Sequence, residues 1–261
     1  MPQATIGGAR IHYDVVGQGF TLVLTTGQGT GPEARDGLIR ELARHYTVLS
    51  YDQRGTGRSE RVAQGQSIEA LAGDVIGLMD AAGFAKAHVV GLSTGTGKAT
   101  AVAANHPERV TRLVLAAPWT HGDGYLTTLQ NMRKAAARTM PPDYHAHLNA
   151  LLIYPPAYRH EHASRFDALA QAALGTPQDS VGIAARLDAI LAFDARPAYQ
   201  RITCPTLVLV ARDDVVMPVW FAEEAARTIA GARLVVFDGG GHLIAETRTA
   251  QFVAEVTAFL A

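Results

Sequence analysis

The spacing of apolar positions changes several times along the chain, and each change marks a new element. Residues 4–16 alternate around Gly7-Gly8, with Ile6, Ile11 and Tyr13 offering one apolar face. A period of two interrupted by a glycine pair predicts a hairpin, with antiparallel strands at a sheet edge. Beyond it, apolar runs at 21–26, 46–51, 87–92, 112–116, 206–210 and 233–237 are nearly continuous. Strands buried on both faces read this way, so six parallel strands are predicted. Between them the period lengthens to that of helices, at about 33–44, 67–82, 94–105, 218–230 and 247–260. In the last, Phe252, Val256 and Phe259-Leu260 form a stripe that is ordinarily core.

The rhythm stops from about Trp119 to Thr203. Helix-like pieces at 125–139, 143–152, 160–174 and 178–192 follow one another, separated by Pro141-Pro142, Pro155-Pro156 and Gly175-Thr176-Pro177. An insertion at this point would sit over the carboxyl ends of the strands, where α/β sheets place ligands. The predicted organisation is a core of 1–118 and 204–261, with a helical cap of 119–203 inserted between strands six and seven.

Composition narrows the classes of function. A length of 261 residues, 48% hydrophobic and 18% charged, suits one large α/β domain with an insertion. A formal charge of -1 gives no electrostatic ground for binding nucleic acid or an anionic membrane. The start, Met1-Pro2-Gln3-Ala4-Thr5, has neither a basic nor an apolar leader region, and no later run approaches a membrane span. A soluble, cytoplasmic protein is expected. The single cysteine, Cys204, excludes an internal disulfide and reads as packing at the start of a strand.

Chemistry concentrates where the strand 87–92 meets the helix 94–105. Gly91, Ser93 and Gly95 fill the pattern G-x-S-x-G, which chance would supply about 0.05 times in this composition. On a sharp strand-to-helix turn a serine hydroxyl stands out above the sheet, and the flanking glycines let strand and helix pass closely. Ala99, Ala101, Ala103 and Ala104 keep the helix slim, and His106-Pro107 ends it. A phosphate loop fails on the same residues, because Leu92 and Ala99 stand where that pattern needs glycine and a hydroxyl. The dinucleotide pattern fails at Thr100.

A serine nucleophile needs a base, and the base needs a group to hold it. In the chain order serine, acid, histidine, the acid should follow the strand 206–210, where Asp214 is the choice and Asp213 the runner-up. One of these aspartates could equally cap the next helix. The base should follow the last strand, where Asp238-Gly239-Gly240-Gly241 leads to His242. Oxyanion donors are expected from the backbone of Thr94 and from the loop Thr26-Gly27-Gln28-Gly29-Thr30-Gly31-Pro32, with Gln28 as the donor and Gly27 beside the substrate.

These motifs, in this order, resemble the α/β-hydrolase-fold superfamily over nearly the whole chain. The resemblance also rests on Asp52-Gln53-Arg54-Gly55-Thr56-Gly57-Arg58-Ser59 and His106-Pro107-Glu108-Arg109-Val110. It implies a mostly parallel eight-stranded sheet with helices on both faces and the triad Ser93, Asp214 and His242. The chain departs from the common pattern at Thr26, where many members carry histidine. Leu152-Ile153-Tyr154-Pro155, Arg186-Leu187-Asp188-Ala189 and Ile202-Thr203-Cys204-Pro205 are similar to aminoacrylate or carbamate hydrolases of bacterial pyrimidine breakdown. Enol-lactone hydrolases of aromatic degradation share the core motifs about as well. Fold does not fix substrate.

The expected function is serine hydrolysis of a small acyl substrate. No cofactor or metal is expected, the partner is a small molecule, and a homodimer stays open. Trp119, Tyr125 and Tyr154 are the aromatic candidates for substrate contact from the cap. Arg133, Lys134 and Arg138 could pair with a substrate carboxylate, but read more simply as a solvated helix face. His145, His147, His160 and His162 lack the spacing and the acidic or thiolate companions of a metal site. Two other classes compete: a ligand-binding homologue with little turnover, and cofactor-independent chemistry by the His-Asp pair.

Overall fold

The computed structural model describes residues 2–27, 32–62, 66–175 and 177–261. Its centre is one sheet of β1 (Gln3–Ile6), β2 (Ala9–Val16), β3 (Phe20–Thr25), β4 (Tyr46–Tyr51), β5 (Ala87–Leu92), β6 (Val110–Ala116), β7 (Thr206–Ala211) and β8 (Arg233–Phe237). The strands lie in the order β1-β2-β4-β3-β5-β6-β7-β8. β1 pairs antiparallel with β2 and β2 with β4, and the remaining neighbours are parallel. The predicted hairpin therefore stands at one edge. Gly7 and Gly8 have φ of 53° and 78°, the left-handed pair that a tight hairpin turn requires.

Helices cover both faces. They are α1 (Pro32–Leu42), α2 (Ile68–Ala81), α3 (Thr94–Asn105), α4 (Gly124–Thr139), α5 (Pro142–Ile153), α6 (Pro156–Glu161), α7 (Ala163–Leu174), α8 (Ser180–Ala192), α9 (Arg196–Tyr199), α10 (Val219–Thr228), α11 (Ile244–Thr247) and α12 (Thr249–Leu260). Strand residues feed the two sides in alternation: Val23 and Val89 join the cluster under α2 and α3, while Leu22, Leu24 and Val90 join the one under α1 and α12. Side chains that alternate yet stay apolar on both faces explain the continuous runs in the sequence.

The described residues between β6 and β7 hold α4–α9 and no strand. Two helices expected at 160–174 and 247–260 begin slightly later, as α7 and α12, each behind a short separate helix. At His162 the backbone leaves helical geometry (φ -112°, ψ 28°), and its ring stacks on Tyr158 at 4.1 Å. At Arg248 (φ -131°, ψ 38°) the chain breaks again, beside Thr247, whose hydroxyl donates to the Gly240 carbonyl at 2.6 Å. The short α9 was not predicted; the Asp194 carboxylate accepts from its first N–H at 3.0 Å. No helix among the described residues is long and apolar enough to cross a membrane.

A buried ion pair fixes the loop after β4 to α2. Arg54 donates through Nε to Asp74 Oδ2 at 2.7 Å and through Nη2 to Asp74 Oδ1, with the two side chains 8% and 2% exposed. Removing one partner strands the other charge in the interior. Asp74→Ala should therefore lower the unfolding free energy by about 3–5 kcal/mol in equilibrium urea denaturation. A loss too small to resolve would contradict this assignment.

Candidate active site

β5 turns into α3 at Ser93, which adopts φ 53° and ψ -124°. A non-glycine residue in such a conformation stores about 1–3 kcal/mol, so its surroundings must enforce it. They do so through close backbone contact. A Cβ on Gly91 would lie 2.8 Å from the Gly95 carbonyl oxygen, and one on Gly95 would lie 2.0 Å from that of Thr25. The Ser93 N–H donates to the Ala116 carbonyl at 2.9 Å, and the Thr25 hydroxyl to the Gly95 carbonyl at 2.8 Å. The two glycines of the motif are thus required by α3 passing at contact distance, at Gly91 against its own strand β5 and at Gly95 against β3.

The Ser93 hydroxyl meets His242. Nε2 of the imidazole lies 2.7 Å from Ser93 Oγ, and Nδ1 lies 2.8 Å from Asp214 Oδ2. An ionised carboxylate can only accept, so Nδ1 carries the proton and Nε2 presents a lone pair to the hydroxyl. The other oxygen of Asp214 accepts from the Val216 and Met217 N–H groups at 2.8 and 2.9 Å, which aims the carboxylate. Asp213 points the other way. Its oxygens accept from the Gly240 and Gly241 N–H groups at 3.3 and 2.8 Å and brace the loop that carries His242. That loop also touches the helical insertion: the His242 N–H donates to the Ile153 carbonyl at 2.9 Å. Gly241 (φ 65°) permits the approach, since a Cβ there would lie 2.8 Å from the same oxygen.

Of the expected oxyanion residues, Thr94 is the first residue of α3, where helical geometry leaves the N–H without an intrahelical acceptor. Gly27 packs on the nucleophile, and a Cβ there would lie 2.6 Å from Ser93 Cβ. Gln28 lies outside the described residues.

A cavity of about 20 Å³ lies over the serine, room for about one water molecule. Gly27, Ser93, Thr94 and His242 line it on the sheet side, and Arg133, Ile153 and Ile190 from α4, α5 and α8. The three aromatic candidates do not line it. Trp119 is buried and donates to the Ile190 carbonyl at 3.1 Å, with its ring filling the space that a side chain on Gly97 would need. Tyr125 donates to the Val215 carbonyl at 2.6 Å, and its ring meets Trp220 edge-on. Tyr154 donates to Glu246 at 2.8 Å and stacks on Tyr158. Each polar tip has found a protein partner.

Arg133, read above as solvated, instead reaches the cavity. Its guanidinium donates to Gln130 Oε1 at 3.1 Å and to Asn149 Oδ1 at 3.2 and 3.4 Å. Both acceptors are neutral, and no carboxylate among the described residues pairs with it. Burial lowers its pKa to about 10, which leaves it charged at neutral pH. The Gln130 amide oxygen accepts from Arg133, and its fully buried Nε2 has no partner among the described residues. Lys134 pairs with Asp188 at 2.5 Å, and Arg138 is exposed. Among the described residues, no three His, Cys, Asp or Glu side chains gather as a metal would require.

The alpha/beta hydrolase fold family matches residues 21–249, and the chain belongs to that family. It is 32% identical to the "Putative carbamate hydrolase RutD" of Azorhizobium caulinodans, over 93% of this chain and 91% of that one. The enol-lactonase from Burkholderia xenovorans LB400 superposes with a TM-score of 0.89 at 31% identity, covering 99% of each chain. A hydrolase from Pseudomonas aeruginosa PA01 gives 0.88 at 30% identity, covering 100% of this chain and 98% of the other.

Proposed function

We propose that this protein is a serine hydrolase that cleaves a small acyl substrate through Ser93, His242 and Asp214. The observation that carries the reading is the unbroken line of hydrogen bonds from Ser93 Oγ through both imidazole nitrogens to Asp214. Ser93 Oγ attacks the substrate carbonyl while His242 Nε2 takes its proton. The tetrahedral oxyanion accepts from the Thr94 N–H and, on sequence position, from Gln28. As the intermediate collapses, His242 returns the proton to the leaving oxygen or nitrogen. Water then attacks the acyl-enzyme, giving a proton to His242, and Ser93 regains one as the acid departs. Asp214 stays ionised throughout and orients the ring. The helices α4–α9 act as a cap that closes over the acyl group.

The substrate carries a carboxylate. Arg133 supplies a charge at the cavity wall that no protein anion answers among the described residues, and a guanidinium binds a carboxylate through two parallel hydrogen bonds. Lactones and C–N compounds bearing a carboxylate both meet this requirement, in keeping with the names of the relatives.

Ser93→Ala should reduce turnover of a small activated ester by about 10⁴-fold while the melting temperature holds. Retained turnover would remove the nucleophile from the account. Arg133→Met should raise KM by about 10- to 100-fold for a small ester with a free carboxylate. KM for its uncharged counterpart should barely move, and an equal change in both would contradict the carboxylate assignment.

A further inference from the structure

Lys98 is buried in the middle of the molecule, at 1% exposure, and the steps above do not use it. It follows Ser93 on α3, in a helix otherwise built of glycine, alanine, threonine and valine up to Asn105. Taking an ammonium out of water costs several kcal/mol, and an apolar side chain would fill such a place more cheaply. Its partners are also unusual. Nζ donates to the Thr26 carbonyl at 3.0 Å and to Gln53 Oε1 at 3.0 Å, and stands 5.3 Å from the centre of the Tyr51 ring. Neither acceptor carries a charge. The nearby carboxylate, Asp74, is already committed to both arms of Arg54.

The position of Thr26 gives this bond a use. Its carbonyl belongs to the peptide plane that also holds the Gly27 N–H, so gripping the oxygen fixes the whole plane. Gly27 lies against the nucleophile: a side chain there would fall 3.0 Å from Ser93 Oγ. We propose that Lys98 is a positioning residue, whose ammonium ties α3 to the Thr26–Gly27 peptide and so holds the two walls of the oxyanion site at a fixed separation. One wall is the Thr94 end of α3, and the other is the Thr26–Gly27 peptide just after β3. This role presupposes the serine-hydrolase reading.

The bond is sensitive to pH. Burial lowers the Lys98 pKa to about 7, with the charge of Asp74 opposing the shift. Of the other groups around it, Tyr51 is a phenol that burial pushes far above its usual range, and Arg54 is a charged guanidinium already paired with Asp74. Below about pH 7 the ammonium is charged and grips both acceptors; above it, the neutral amine holds them weakly. Loss of the Lys98 proton therefore makes activity fall on the alkaline side.

Lys98→Met keeps the length of the side chain and removes a buried charge, so it should fold. In steady-state assays of a small activated ester, kcat should fall by about 10²-fold with KM little changed, because a displaced wall weakens the transition state more than the ground state. Lys98→Arg, which retains charge and donors, should recover part of the loss. The wild-type profile should show kcat falling as pH rises through about 7, and this fall should be absent in Lys98→Met. A folded Lys98→Met with wild-type kcat would overturn the proposal. So would wild-type kcat that does not fall on the alkaline side, an arm that needs no variant. Running Ser93→Ala alongside separates the two readings. If that variant stays active, the hydrolase reading has failed; if it is inactive while Lys98→Met behaves as wild type, only the role of Lys98 has.

Discussion

Backbone touches backbone where the first turn of α3 crosses the end of β3, and this contact holds the rest of the site in place. Gly95 and the Thr25 carbonyl are too close for any side chain to stand between them. The approach forces the chain at Ser93 into a left-handed turn. Hydrogen bonds from Ser93 to β6 and from Thr25 to Gly95 offset the strain. The result is a hydroxyl held above the carboxyl ends of the strands without a side chain of its own element to block it. A reactive group that is fixed in this way needs no reorganisation when a carbonyl arrives, which is where electrostatic stabilisation gains most.

Around that point the protein places buried polar groups sparingly and gives most of them a partner. Asp214 is satisfied by two backbone N–H groups and the imidazole, and Asp213 by two more on the neighbouring loop. Adjacent aspartates thus divide the work, one aiming His242 and the other bracing the glycines beneath it. The exceptions are informative. Arg133 and Lys98 are cations whose hydrogen-bond acceptors are neutral, and both lie within reach of the nucleophile's surroundings. Cations held away from water without an anionic partner are costly to the fold, a cost that the proposed roles at the substrate and the oxyanion wall would explain.

Much of this was legible in the sequence because the relevant constraints are local. Gly91 and Gly95 flank the serine for a reason contained within a few residues, and strands covered on both faces betray themselves as continuous apolar runs. What lay beyond the sequence depended on which way a side chain turns after folding. Asp213 and Asp214 are neighbours on one loop; chain position favoured Asp214, but the bracing role of Asp213 appears only in the tertiary contacts. The aromatic residues of the insertion looked like pocket walls, but their polar tips are satisfied by carbonyls and by Glu246. Arg133 looked solvated because the stripe of α4 that turns inward is short: Leu126, Gln130, Ala136 and Ala137. The available signal was Gln130, a polar residue on that stripe three places before the arginine. Lys98 was hidden inside a failed phosphate-loop pattern, although a lysine among alanines and glycines was itself the sign of a special position.

The central claim is that the hydroxyl of Ser93 forms a bond with the acyl carbon, and covalent trapping tests it most directly. The wild-type protein, incubated with a small fluorophosphonate and digested, should carry one phosphonyl group on the peptide containing Ser93, with ester turnover lost in step with labelling. Protein that hydrolyses the ester at full rate while remaining unlabelled, or that is inactivated by a label elsewhere, would contradict the account.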